Sequence, residues 1–258
     1  MSEQDKQAGG WLAAARVYAD RRLLAIFLMG FTSGLPLLLG FSTLSYWLST
    51  AGVDRTTIGL FAAVATPYAI KFAWAPLLDH LRPPPPFGAL GRRRGWILTI
   101  QVLLAGGILW LGTSDPLGAP GLMALAALTV AFLSASQDIV IDAYRIEVLA
   151  AEEQGAGAAA TQAGYRFGML AAGAGALALS DFIAWFWVYA VMAALIGIGA
   201  LGVLIGPEPA PPAATPEAAA PDAPRRARLA AWLRRAVIDP FADFLGRPGW
   251  LAILLFVL

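Results

Sequence analysis

Six apolar runs, each close to the ~20 residues a helix needs to cross a hydrocarbon layer, constrain this chain more than any other feature. They cover roughly 23–48, 57–79, 95–113, 120–141, 156–179 and 182–205. Lipid offers no partners to backbone N–H and C=O groups, so such runs must be helical. Composition agrees: of 258 residues, 59% are hydrophobic and only 14% charged, whereas a water-soluble domain carries about 25% charged residues. The net charge of +1 leaves no basic surface for nucleic acid, and the absence of cysteine excludes thiol chemistry. The first run follows Arg21 and Arg22 but is far longer than a cleavable signal core, and no A-x-A site follows it. The chain is therefore predicted to be an all-α membrane protein with six crossings.

Basic residues set the predicted orientation. The N-terminal tail 1–22 holds Lys6, Arg16, Arg21 and Arg22, and the loop 80–94 holds Arg82, Arg92, Arg93 and Arg94. The loop 142–155 adds Arg145; the segment 206–248 adds Arg225, Arg226, Arg228, Arg234, Arg235 and Arg247. The loops on the opposite side hold only Arg55. This bias places the N-terminus in the cytoplasm. The plan is a cytoplasmic tail over 1–22, a six-helix bundle over 23–205, a cytoplasmic linker over 206–248, and 249–258. Within the linker, PEPAPPAATPEAAAPDAP (207–224) cannot build a core and predicts an extended tether. Leu229, Leu233, Val237, Phe241 and Phe244 then recur at helical spacing, with Arg228, Arg234 and Arg235 on the other face. That pattern predicts a helix lying on the membrane surface, or a solvated linker helix interrupted at Pro240. From Gly249 the run GWLAILLFVL covers half a crossing. It predicts the start of a seventh helix and a longer parent polypeptide.

Charges inside a bilayer are costly, so those within the spans are where function is sought. The fourth span ends Ser134-Ala135-Ser136-Gln137-Asp138-Ile139-Val140-Ile141-Asp142-Ala143-Tyr144-Arg145. Asp138, Asp142 and Arg145 fall at i, i+4 and i+7, on one helix face. Arg145 can pair with Asp142, which leaves Asp138 one turn deeper without a local partner. A carboxyl there either takes a proton or meets a cation from another helix, the physics of a proton-coupling site. The other reading is a structural ion-pair cluster at the cytoplasmic rim. Lys71 in the second span and Arg166 in the fifth, with Gln162 one turn from Arg166, either bind an anionic substrate or neutralise these acids. Lys71 can also snorkel to the nearby interface. Tyr46, Tyr68 and Tyr165 offer rings for a sugar or for packing. Asp79, which closes the second span, faces the basic turn Gly91-Arg92-Arg93-Arg94-Gly95 that opens the third. The pair predicts a latch between helix ends on top of plain charge anchoring. Gly30-x-x-x-Gly34 and Gly164-x-x-x-Gly168 predict close helix approach, and Pro36, Pro67 and Pro76 predict bends. With His80 the one histidine and no HExxH pattern, no enzymatic constellation is present.

These strings resemble a known family. Gly30-Phe31-Thr32-Ser33-Gly34-Leu35-Pro36, Lys71-Phe72-Ala73-Trp74-Ala75-Pro76-Leu77-Leu78-Asp79, Gly91-Arg92-Arg93-Arg94-Gly95-Trp96 and Ala135-Ser136-Gln137-Asp138 through Arg145 together look like the AmpG muropeptide permease family of the major facilitator superfamily. The Gln-Asp…Asp-Ala-Tyr-Arg string is shared with the related acetyl-CoA transporter family, so an organic-anion carrier is the alternative. The resemblance implies the N-terminal six-helix half of a major facilitator transporter, built from inverted 3+3 repeats. Lys-Phe at Lys71 and Arg-Phe at Arg166 echo such a repeat. It further implies a bacterial inner-membrane symporter, driven by the proton gradient and needing no cofactor. Its cargo would be N-acetylglucosaminyl-1,6-anhydro-N-acetylmuramyl peptides for cell-wall recycling, and its partners lipid, protons and a C-terminal six-helix half. Asp138, Asp142 and Arg145 then carry proton coupling. Gln137, Gln162, Arg166, Lys71 and Tyr46 become candidate substrate contacts, and Asp79 with Arg92, Arg93 and Arg94 the conformational latch.

Overall fold

The computed structural model describes residues 20–210 and, beyond them, 226, 231, 234 and 238–257. The chain divides into two units at Ala210. In the first, helix α1 runs Arg21–Thr50, α2 Arg55–Ala73, α3 Arg92–Gly112, α4 Pro120–Val148 and α6 Trp185–Ile205. These five are long and apolar enough to cross a membrane. Between them α5 runs Gln154–Leu170 and continues through Ala176–Ser180. Its six glycines, with Gln162 and Arg166, leave it less apolar than the rest. No strand occurs among the described residues. Helix α4 extends beyond the predicted end of its span, so Asp142, Arg145 and Glu147 lie on the helix rather than in a loop.

Local sequence explains the irregularities. Asp20 caps α1 by accepting from Arg22 N–H, and Asp54 caps α2 by accepting from Thr56 and Thr57 N–H at 3.0 Å. Pro67 and Pro76 each open a fresh helical turn, so α2 is a chain of short pieces; beyond a break at Trp74 a further piece, Ala75–His80, extends it to Asp79 and is counted with α2. Three residues after Pro36, α1 widens into a π turn at Leu39–Thr43, and α5 does the same at Ala171–Gly175. Each π turn frees carbonyls that lipid cannot satisfy. Thr43 Oγ1 donates to Ala172 O at 2.7 Å, and Tyr189 Oη from α6 donates to Leu39 O at 3.2 Å.

Helices α1 and α5 run parallel with their backbones in contact. A Cβ added to Gly30 or Gly34 would strike the Thr161 or Tyr165 backbone, and one added to Gly164 or Gly168 would strike Phe27 or Phe31. The paired small-residue motifs are thus packing devices. Elsewhere the core is layered. At the arginine-bearing end Leu23, Ile26, Met29, Ile97, Ile141, Tyr144 and Val203 form one apolar cluster. At the other end Leu35, Leu44, Leu104, Ile108, Val130, Tyr189 and Ile196 form a second. Thr32, Ser33, Gln101, Ser134, Ser136 and Gln137, all buried, fall between the two along their helices.

In the second unit, Asp239–Gly246 and Trp250–Val257 are helical. Helical backbone therefore runs through Pro240, from Ile238 onward, where the amphipathic pattern was expected to break. Residues 1–19 of the tail, 211–224 of the Pro/Ala tether, and Leu229, Leu233 and Val237 lie outside the described residues.

Candidate functional site: a buried carboxyl and an arginine latch

Asp138 belongs to the polar layer. Its Oδ1 is sealed from solvent and has no hydrogen-bond partner among the described residues. The groups acting on the carboxyl come from three helices: Ser33 of α1, Lys71 at the end of α2, and Asp142 one turn along α4. Tyr68 and Tyr165 also feel its charge. Lys71 exerts its influence without an ion pair to any described residue. Gln101 Oε1 and both Gln137 side-chain polar atoms are likewise buried without a partner among the described residues, and Ser134 Oγ and Tyr68 Oη, which act on one another, close no well-formed hydrogen bond. Gln101 Nε2 reaches Thr32 Oγ1 at 3.4 Å, and Gly199 of α6 gives them room. Orphaned buried polar groups cost about 1–3 kcal/mol each, so a layer of them is expensive in an apolar bundle. Such groups occur in native structures where function requires them.

The second constellation lies at the arginine-bearing end. Arg93 is 4% exposed although it is charged. Its guanidinium donates to Asp79 at 2.7 Å and in a fork to both oxygens of Glu147 at 2.5 and 3.0 Å. Arg92 donates to Glu147 at 3.1 Å and to the Asp79 carbonyl. The ends of α2, α3 and α4 thereby meet on one guanidinium, the geometry in which planar arginine outperforms lysine. Arg94 turns the other way, donating to Val203 O of α6 at 2.9 Å. A second clasp joins α1 to the α4–α5 connection: Arg22 grips Glu153 through two bonds of 2.8 and 3.1 Å. The Ala150 N–H, with Arg22, holds the Glu153 carboxyl below the usual glutamate range.

The remaining candidates are spread out. Asp142 is exposed and sits 3.7 Å from Arg145, which also reaches Gln154. Gln162 and Arg166 are both exposed on α5, and Arg166 forms no ion pair with any described residue. Gln137 is fully buried. Tyr46 stands at the far end of α1 against Trp185, ring centroids 6.2 Å apart. Asp138, Lys71 and Gln137 are therefore central, whereas Tyr46 is remote from them. Sequence reasoning missed Glu147, Glu153 and Glu208, whose partners are 54, 131 and 115 residues away. It also missed Ser33 as a neighbour of Asp138.

The acetyl-coenzyme A transporter 1 family matches residues 22–115. The anhydromuropeptide permease of Escherichia coli K12 is 42% identical over 245 residues, covering 94% of this chain and 46% of that protein. The chain is a homologue of the AmpG proteins. A transporter named AmpG 4 from Rickettsia felis is 32% identical over 94% of the chain and 57% of its own length. Another, AmpG 3 of Rickettsia prowazekii, is 34% identical over 75% of the chain. This AmpG homologue spans about half the length of the curated relatives it matches. With its membrane-length helices it is a multi-pass membrane protein.

Proposed function

We propose that the chain is the N-terminal, six-crossing half of a major facilitator transporter that imports anhydromuropeptides with protons across the bacterial inner membrane. The observation that carries this reading is Asp138, a carboxyl in the buried polar layer with Oδ1 sealed and unpartnered, flanked by Ser33 of α1 and Lys71 of α2, in a chain 42% identical to a named anhydromuropeptide permease. A carboxyl so placed can carry a proton between two exposures when the helices around it move. Arg166 and Gln162, exposed one turn apart on α5, present a cation and an amide to the peptide carboxylates and amide groups of such a cargo. Lys71 links substrate and proton, and Tyr46 offers a ring at the far end. The Asp79–Arg93–Glu147 latch closes the arginine-bearing end, which the basic bias assigns to the cytoplasm. Substrate in this fold sits between two six-helix halves, so the partner of this unit is a second such half.

The test is uptake of labelled anhydromuropeptide by cells expressing the natural polypeptide that carries these residues. Accumulation should collapse when the proton gradient is dissipated. Asp138→Asn should abolish accumulation while substrate exchange persists, because an amide mimics the protonated carboxyl. Accumulation that survives in this variant overturns the coupling role. The match of residues 22–115 to an acetyl-coenzyme A transporter family favours a second reading, an organic-anion carrier. Competition by acetyl-CoA, with none by muropeptide, would establish it.

A further inference from the structure

Glu208 lies just beyond α6, in Gly206-Pro207-Glu208-Pro209, and belongs neither to the polar layer nor to the arginine–acid latch. Its Oε1 accepts from the Arg93 N–H at 2.8 Å and its Oε2 from the Arg94 N–H at 2.9 Å. Those are the second and third residues of α3. The first turn of a helix exposes N–H groups that its own carbonyls cannot reach, and a side chain at the N-cap ordinarily meets them. Here the N-cap is Gly91, with φ 106° and no side chain to offer. A Cβ at that position would overlap the Glu208 side chain, so the glycine makes room for a cap supplied from 115 residues away. The carboxylate also sits at the positive end of the helix dipole.

The bond runs both ways. While Glu208 holds the start of α3, Arg94 of α3 donates to Val203 O in the last turn of α6. The end of α6 and the start of α3 are thus tied at two points. Pro209 disfavours helical backbone at Glu208, which lies outside α6. Arg93 is then gripped at both ends: its N–H by Glu208, its guanidinium by Asp79 and Glu147.

We infer that Glu208 is a positioning residue for the cytoplasmic latch: by capping α3 across the fold it fixes the Arg93 guanidinium between Asp79 and Glu147, so that release of the segment after α6 and opening of the latch are one event. This rests on the latch described above but not on the identity of the cargo. Its test therefore reads the latch directly.

The chain has no native cysteine, so a single reporter can be placed at Leu78, buried beside Asp79. Membrane vesicles of both orientations carrying Leu78→Cys in the natural polypeptide are labelled with an impermeant maleimide. Glu208→Gln keeps the size of the side chain but loses its charge and its second acceptor. It should raise the labelling rate about tenfold, the scale of one lost cap. Glu208→Asp should recover part of the protection. Gly91→Ala, which intrudes on Glu208 while leaving every acid in the sequence, should match Glu208→Gln. Asp79→Asn should raise labelling too, and adding Glu208→Gln to it should give no further increase. Unchanged labelling in Glu208→Gln overturns the inference, as does a multiplicative effect in the double variant, which would mean cap and latch act separately. If uptake proves unrelated to muropeptides while these labelling patterns hold, the cargo assignment fails and the positioning role stands.

Discussion

Arg93 is buried and holds two acids from two other helix ends on one guanidinium, and its energetics follow from that burial. Arg93→Ala strands Asp79 and Glu147 together at the helix ends. Because those acids keep 40% and 27% side-chain exposure, the loss should be about 2 kcal/mol, below the ~3–5 kcal/mol of a wholly buried pair. Arg93→Lys should recover little of it, since an ammonium cannot fork to both oxygens of Glu147 while reaching Asp79. Thermal unfolding in detergent checks both. Glu153 gives a pH dependence. Its carboxyl lies below the usual glutamate range because the Ala150 N–H and Arg22 favour the charged form. A lowered native value makes its contribution complete above the ordinary glutamate range and removes it as acid takes the pH below that range. The Glu153→Gln variant should therefore show a flatter loss of thermal stability on acidification than the parent. Of these residues the sequence displayed Asp79 and the arginine run plainly, because both abut the ends of apolar spans. Glu147, Glu153 and Glu208 were not legible, since nothing local marks an acid whose cation lies tens of residues away.

At the scale of elements, the two π turns are matched, and the tie between them is a single hydroxyl. Thr43→Val keeps the shape but leaves Ala172 O without its donor. A loss of about 1–2 kcal/mol should follow, and Thr43→Ser should restore most of it. The prolines announced that α1 and α2 would be irregular, and the structure places the breaks beside them. The π turn in α5 carries no proline, so its sequence of alanines and glycines gave no warning. The same composition leaves α5 outside the set of plainly apolar helices. Yet it lies flush and parallel along α1, and a helix so paired should cross with its neighbour. Single cysteines at Glu152 and Asp181, which flank α5, should then label from opposite faces of the membrane. Labelling from one face alone would make α5 a re-entrant element.

For the whole molecule, the imbalance of basic residues predicts that Ala89→Cys, in the 80–94 loop, is protected from an impermeant thiol reagent added to intact cells. Leu117→Cys, in the loop between α3 and α4, should react. The reverse pattern would invert the topology and move the latch to the outer face. The layered core, apolar then polar then apolar, was only partly visible beforehand: Asp138 was singled out as the deepest acid, but Thr32 stood out only as part of a family string and Gln101 drew no notice, being common and uncharged. The contact between α1 and α5 has a further consequence, for which sequences can encode this protein at all. Gly30, Gly34, Gly164 and Gly168 face backbone, which cannot rotate away, so an added methyl has nowhere to go. Gly106, Gly121, Gly155 and Gly197 have open space around them, and there alanine should gain about 0.5–1 kcal/mol of helix stability. In a saturation library selected for folded protein, one residue type should thus split into two populations, one set invariant and the other readily replaced. The invariant set would trace the line along which two helices share a surface.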